Sequence, residues 1–213
     1  MIPITLELLE SNATISRDIN SAIATHLNKI VRKKISKTEL KLKSLVDKWI
    51  RTSPEIESLN SEGVAFSLNA QFGLKAGDAP VATEAIIQAV LATISVSISR
   101  WDSSNLGGNV TFQIQPDNFA NLLSLPDGVV TTELGKTLPW LEWLLTMGNS
   151  AIVMDYEYTP SAEGRSGGGT MSGGGIWRVP PEFSGNEANN FITRSLTMNN
   201  RDIEKVLQEL LVK

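Results

Sequence analysis

The sequence predicts an α+β chain, and three observations carry that prediction. Apolar residues recur at three- and four-residue spacing between Ile15 and Ile50. Two short stretches, Ile94 to Ile98 and Val110 to Ile114, instead alternate apolar with polar residues. Strand-like stretches follow helical ones without βα alternation, which favours a mostly antiparallel sheet. The expected architecture has N-terminal amphipathic helices, a small mostly antiparallel β-sheet with packed helices, a glycine-rich hairpin loop and two C-terminal helices. The expected division is a basic helical segment over 1–52 and an α+β core domain over 53–213.

Residues 15–35 form one apolar stripe through Ile15, Ile19, Ile23, Leu27, Ile30 and Val31. Thr14 or Ser16 is the expected cap. The period resumes at Leu42, Leu45, Val46, Trp49 and Ile50. Ser36 and Glu39 have capping-box spacing, so the segment is either two helices with a break near Ser36 or one helix of more than thirty residues. Ser53-Pro54 opens a short helix over 54–60, and Pro80 opens another through Ile86 and Val90. The alternating stretches at 94–98 and 110–114 form a hairpin around Gly107-Gly108. Asp117 is placed to cap a short helix holding Phe119 and Leu122. Leu138 to Leu145 is the most apolar helix, with Pro139 at its start and Gly148 past its end. A third strand spans 150–158, a glycine loop 164–175, a fourth strand 176–179, and two helices 186–196 and 200–212.

Composition excludes several chemistries. The chain has 213 residues, no cysteine and one histidine, His26. Disulfides, thiolate nucleophiles and multi-histidine metal sites within one chain are therefore ruled out. The opening MIPITLELLESN lacks a basic start and a long apolar run, so it does not read as a secretory signal. Ala79 to Ile98 is too polar for a membrane span, and the expected product is soluble and made in the cytoplasm. Charge is unevenly spread. Lys29 to Arg51 holds nine basic and two acidic residues, whereas 52–213 holds nine basic and eighteen acidic. The basic stretch suits nucleic acid, an acidic protein surface, the chain's own acidic remainder, or plain solvent.

No motif supplies a catalytic set. Gly164 and Gly169 have P-loop spacing, but Thr170 stands where the phosphate-binding lysine is needed. His26 lies on or beside the apolar stripe, with Asn20 and Asn28 near it and no carboxylate partner in sight. Asp155 and Glu157 share one strand face, with Tyr156 and Tyr158 on the other; such a pair suits acid–base work or a solvated sheet face. Trp140 and Trp143 belong to one helix face and to the core. Trp177 and Arg178, next to the glycine loop, suit either an interface anchor or, for Trp177, a cap on the core.

Four strings together resemble structural proteins of tailed-bacteriophage virions: SPEIESL at 53–59, LPWLEWLL at 138–145, RSGGGTM at 165–171 and WRVPPEFSGNEANNFITRSL at 177–196. Their order, behind a basic segment, is similar to that of neck, tail-completion or head–tail connector proteins. The resemblance spans roughly residues 53–200, and the last string is its most specific part. It implies a non-enzymatic virion subunit at the head–tail junction, assembled in the host cytoplasm. The subunit would form a homo-oligomeric ring of six or twelve copies between portal or adaptor and tail proteins, with genomic DNA passing through the lumen. A tail-tube or baseplate position in the same particle is the neighbouring expectation. No catalytic residue, cofactor, metal, membrane or small-molecule substrate is implied. Subunit contacts are expected along the N-terminal helix at Ile15, Ile19, Ile23, His26, Lys33, Lys34 and Lys37. Further contacts are expected around the glycine loop at Arg165, Met171, Trp177 and Arg178.

Overall fold

The computed structural model describes residues 10–104, 106–132 and 135–211. Its longest element, α1, runs from Asn12 to Arg51 over 40 residues, about 60 Å at 1.5 Å per residue. Neither glycine nor proline interrupts that span. The cap is Ser11, whose hydroxyl accepts from the Thr14 amide at 3.2 Å. Thr14 and Ser16 therefore lie inside the helix and cap nothing. Of the two expectations around Ser36, the continuous helix is the one found. Glu39 reaches forward to Lys43 at 2.8 Å, an i to i+4 pair that supports helix on both sides.

Ser53 ends α1 in an extended conformation, as a residue before proline must. Its hydroxyl donates to the Ile50 carbonyl at 2.8 Å and accepts from the Ile56 amide at 3.4 Å. Helix α2 then covers Pro54–Leu59. Helix α3, Leu68–Phe72, is a turn that the sequence pattern does not announce; Ser67 caps its start, and Gly73 ends it at φ 63°. Helix α4 spans Asp78–Thr93, with Pro80 in its first turn where a missing N–H costs nothing.

Strands β1 (Ser95–Ile98) and β2 (Val110–Gln113) form the expected antiparallel hairpin. Helix α5 (Ala120–Leu123) follows, but Asp117 does not cap it. Phe119 occupies the cap position at φ 51°, and the Asn118 side chain accepts from the Ala120 amide at 3.1 Å. A short pair, β3 (Val130–Thr131) with β4 (Thr137–Leu138), precedes α6 (Trp140–Thr146). Strand β5 (Val153–Pro160) pairs antiparallel with β6 (Gly169–Trp177). The fourth strand thus starts at Gly169 rather than Ile176, and most of the expected glycine loop is strand. Helix α7 spans Phe191–Thr197, starting later than expected because Asn190 and Thr193 form a reciprocal capping box there. Helix α8 spans Asn200–Leu211.

The fold class is α+β as expected, but among the described residues the strands form three separate two-stranded ribbons rather than one sheet. Helix α1 lies against α4, α7, α8 and β1. Its Leu42, Val46 and Ile50 join Ile86 and Val90 of α4, Trp140 of α6 and Phe191 of α7 in one apolar core. That packing runs across residue 52, so the second half of the basic segment is part of the core. The first half is different: residues 11–23 contain no buried side chain.

Candidate assembly surfaces

Burial divides α1 lengthwise. Ala24, Val31, Leu42, Val46 and Ile50 are buried on one side. On the opposite side Lys29, Arg32, Lys33, Lys37 and Leu40 are exposed. Helix α8 occupies part of the basic row. Its Ile203, Val206 and Leu210 are buried, and its Glu209 carboxylate takes Lys41 at 2.7 Å. Lys34 donates to the Glu209 backbone carbonyl at 3.1 Å. The Lys41 hydrogen bond, followed by the charges of Lys41, Lys37 and Lys34, holds the Glu209 carboxyl below the usual carboxylate range. Lys29, Arg32, Lys33 and Lys37 make no ion pair among the described residues.

The N-terminal turns of α1 carry the exposed part of the apolar stripe. Ile19 is 53% and Ile23 40% exposed, Ile15 is half-buried and His26 is exposed. Behind them Asn28 fixes the helix to the turn after β1. Its amide donates to the Trp101 carbonyl at 3.2 Å and accepts from the Trp101 N–H at 2.9 Å. A shallow cavity of about 320 Å³ lies there, lined by Ser21, Thr25, Asn28, Arg100, Trp101 and Asp102. Nothing in the sequence marks Asn28 for this role.

The ribbon β5–β6 is the second uncovered surface, and both of its ends are fixed. At one end Trp177 is 4% exposed. It packs on Phe72 and Trp143 at centroid distances of 6.0 and 5.6 Å, and its indole N–H reaches Gln71 at 3.3 Å. Trp177 is therefore a core residue in this chain and offers no surface for a neighbour. At the other end the turn joining the strands is seated on α3 and the loop before it. The Tyr158 hydroxyl donates to the Gly168 carbonyl at 2.7 Å and accepts from the Phe66 amide at 3.0 Å. Ser166 donates to the Ala70 carbonyl at 3.4 Å. Arg165 donates to the Thr131 carbonyl at 3.1 Å. Gly168 is glycine for space: a Cβ would come within 2.7 Å of Ala70.

The middle of the ribbon is open. Met154 and Ile176 are opposite each other and 60% and 57% exposed. Tyr156, Met171 and Arg178 are exposed as well, as are Asp155 and Glu157. The register slips between Met154 and Tyr156, where Asp155 (φ 62°) faces Gly174 (φ 110°) and Gly175 (φ 83°). That bulge breaks the expected alternation at Asp155, whereas the pairing from Tyr156 to Pro160 is regular.

Of the expected contact residues, one set lies along α1 between Ile15 and Lys37 and another on or beside the ribbon, which packs on α3. Among the described residues no cluster of three or more histidine or carboxylate side chains is placed to hold a metal ion. Nor is any helix long and apolar enough to cross a membrane. No protein-family model, curated protein or solved structure matches the chain.

Proposed function

We propose that this chain is a non-enzymatic structural subunit of a bacteriophage neck ring, joining head to tail around the passing genome. The observation that carries this is the pair of uncovered surfaces. Three turns of α1 have no buried side chain, and the β5–β6 ribbon has no third strand among the described residues. An isolated two-stranded ribbon is marginal in water, and free edges invite pairing. Ring neighbours would complete both. The acidic remainder of the chain suits a channel wall, since like charge opposes phosphate binding. The resemblance of the four strings to neck proteins supports a position at the head–tail junction.

Gold-labelled antibody against the chain, imaged on particles by electron microscopy, tests this. Label confined to the head–tail junction is the expected result. Label along the tail or at its far end moves the chain to the tail tube or baseplate. No label on any particle overturns a virion role.

One observation favours a second reading, a nucleic-acid-binding protein. Lys29, Arg32, Lys33 and Lys37 form an exposed basic row without ion pairs among the described residues. Its mark would be duplex affinity that falls steeply with salt. Binding unchanged after charge reversal of Lys33 and Lys37 would exclude it.

A further inference from the structure

The two uncovered surfaces are opposite in charge and alike in apolar character. On α1, exposed Ile19 and Ile23 are followed by Lys29, Arg32, Lys33 and Lys37. On the ribbon, Met154, Tyr156, Met171 and Ile176 are exposed, as are Asp155 and Glu157. Neither acid has an ion pair among the described residues. The sequence holds no lysine between Lys136 and Lys205; of the two arginines at the ribbon, Arg165 is turned toward Thr131, and the exposed Arg178 follows β6 at the end away from the turn. The lengths agree too. Ile15 to Lys33 spans about 27 Å of helix, and the eight residues of β5 span about 26 Å of strand.

We propose that the Ile15–Lys33 stretch of α1 in one copy lies along the β5–β6 ribbon of the next. Its isoleucines would cover Met154 and Ile176, and Lys29 and Lys33, about 9 and 15 Å beyond Ile23 along the helix, would face Asp155 and Glu157. This rests on the chain being a self-assembling subunit, and it names the surfaces by which it assembles. A helix laid on a ribbon supplies the second layer that a two-stranded hairpin lacks. A nucleic-acid duplex would answer the lysines but leave the isoleucines in water, whereas the ribbon answers both. Because the two patches differ, the contact is head-to-tail. Each copy keeps one patch of each kind for its other neighbour, the arrangement that generates rings or filaments.

The full chain, with Lys29→Glu/Lys33→Glu and Glu157→Lys variants, is examined by light scattering near 100 µM in low salt. Circular dichroism confirms that each variant is folded. The wild type is expected to form oligomers that dissociate in high salt. Each variant alone should weaken association at least about tenfold. An equimolar mixture of the two variants should reassemble, since each presents the surface its partner lacks. A wild type that stays monomeric, or variants that still oligomerise, overturns the interface while leaving the position in the particle to the imaging experiment.

The absence of native cysteine gives a second, direct readout. Oxidised Ile23→Cys/Ile176→Cys protein should run as a ladder of multimers on a non-reducing gel, with neither single variant doing so. Dimers from Ile23→Cys alone would show helix pairing with helix and would overturn the proposal.

Discussion

Arg194 ties three parts of the chain together. Its guanidinium pairs with Glu55, which is 4% exposed. It also donates to the Asn189 carbonyl at 3.3 Å and to the Asn189 side chain at 3.2 Å. Glu55 sits in the first turn of α2 and Arg194 in α7. Both residues fall inside strings that carry the resemblance, and here their role is structural. Arg194→Ala leaves a buried carboxylate without its cation and should cost about 3 kcal/mol, read from the urea midpoint. A change below about 0.5 kcal/mol would mean that the pair is no more than a surface contact. Asn69 is the opposite case. It is 1% exposed, and its side-chain amide has no hydrogen-bond partner among the described residues. An unpaired buried amide costs about 1–3 kcal/mol. Asn69→Leu, of similar volume, is expected to raise the melting temperature; a fall would reveal a partner for the amide.

At the level of elements, legibility followed length and period. The long stripe announced α1, and the alternating runs announced β1 and β2. Helix α3 stayed hidden because one turn of five residues cannot display a period. Most of strand β6, ahead of Ile176, stayed hidden for a different reason. Glycine has poor strand propensity, and glycines fill positions 167–169 and 173–175. Pairing with the Tyr- and Thr-bearing β5 overrides that local preference. The start of α7 was misplaced because Asn186 and Asn190 are both plausible caps, and only Asn190 is backed by Thr193 in the structure. The contact of α8 with α1 has a testable pH dependence. The lowered Glu209 carboxyl contributes stability that is fully present above its unfolded value, about 4.3. That contribution is lost as pH falls through the lower folded value. Wild type and Glu209→Gln should therefore differ in melting temperature at neutral pH and converge in acid. A difference that persists through the acid range would contradict the assignment of Glu209.

For the whole molecule, the core starts late along α1. The apolar cluster draws on α1 from Leu42 onward, with Ile35 packed against its edge. Ile19→Glu combined with Ile23→Glu should thus change the unfolding free energy by no more than about 0.5 kcal/mol, measured on dissociated protein. A larger loss would show that residues 11–23 are held by the chain itself. The candidate surfaces were only partly legible in the sequence. Charge asymmetry and the isoleucine stripe pointed to the helix because both are written in consecutive residues. Seating of the ribbon's turn on α3 depends on pairs about a hundred positions apart, such as Tyr158 with Phe66 and Ser166 with Ala70. The core position of Trp177 likewise depends on Phe72 and Gln71, far away along the chain.

The ribbon held down at both ends has a kinetic meaning. A strap fastened twice cannot swing out and be traded between copies, so assembly by exchange of this element would first require tearing Trp177 and the seated turn from the body. Copies would instead meet as finished parts. Little chain ordering is charged against that contact, and joining and separating should be fast and reversible until the particle around them locks the ring in place.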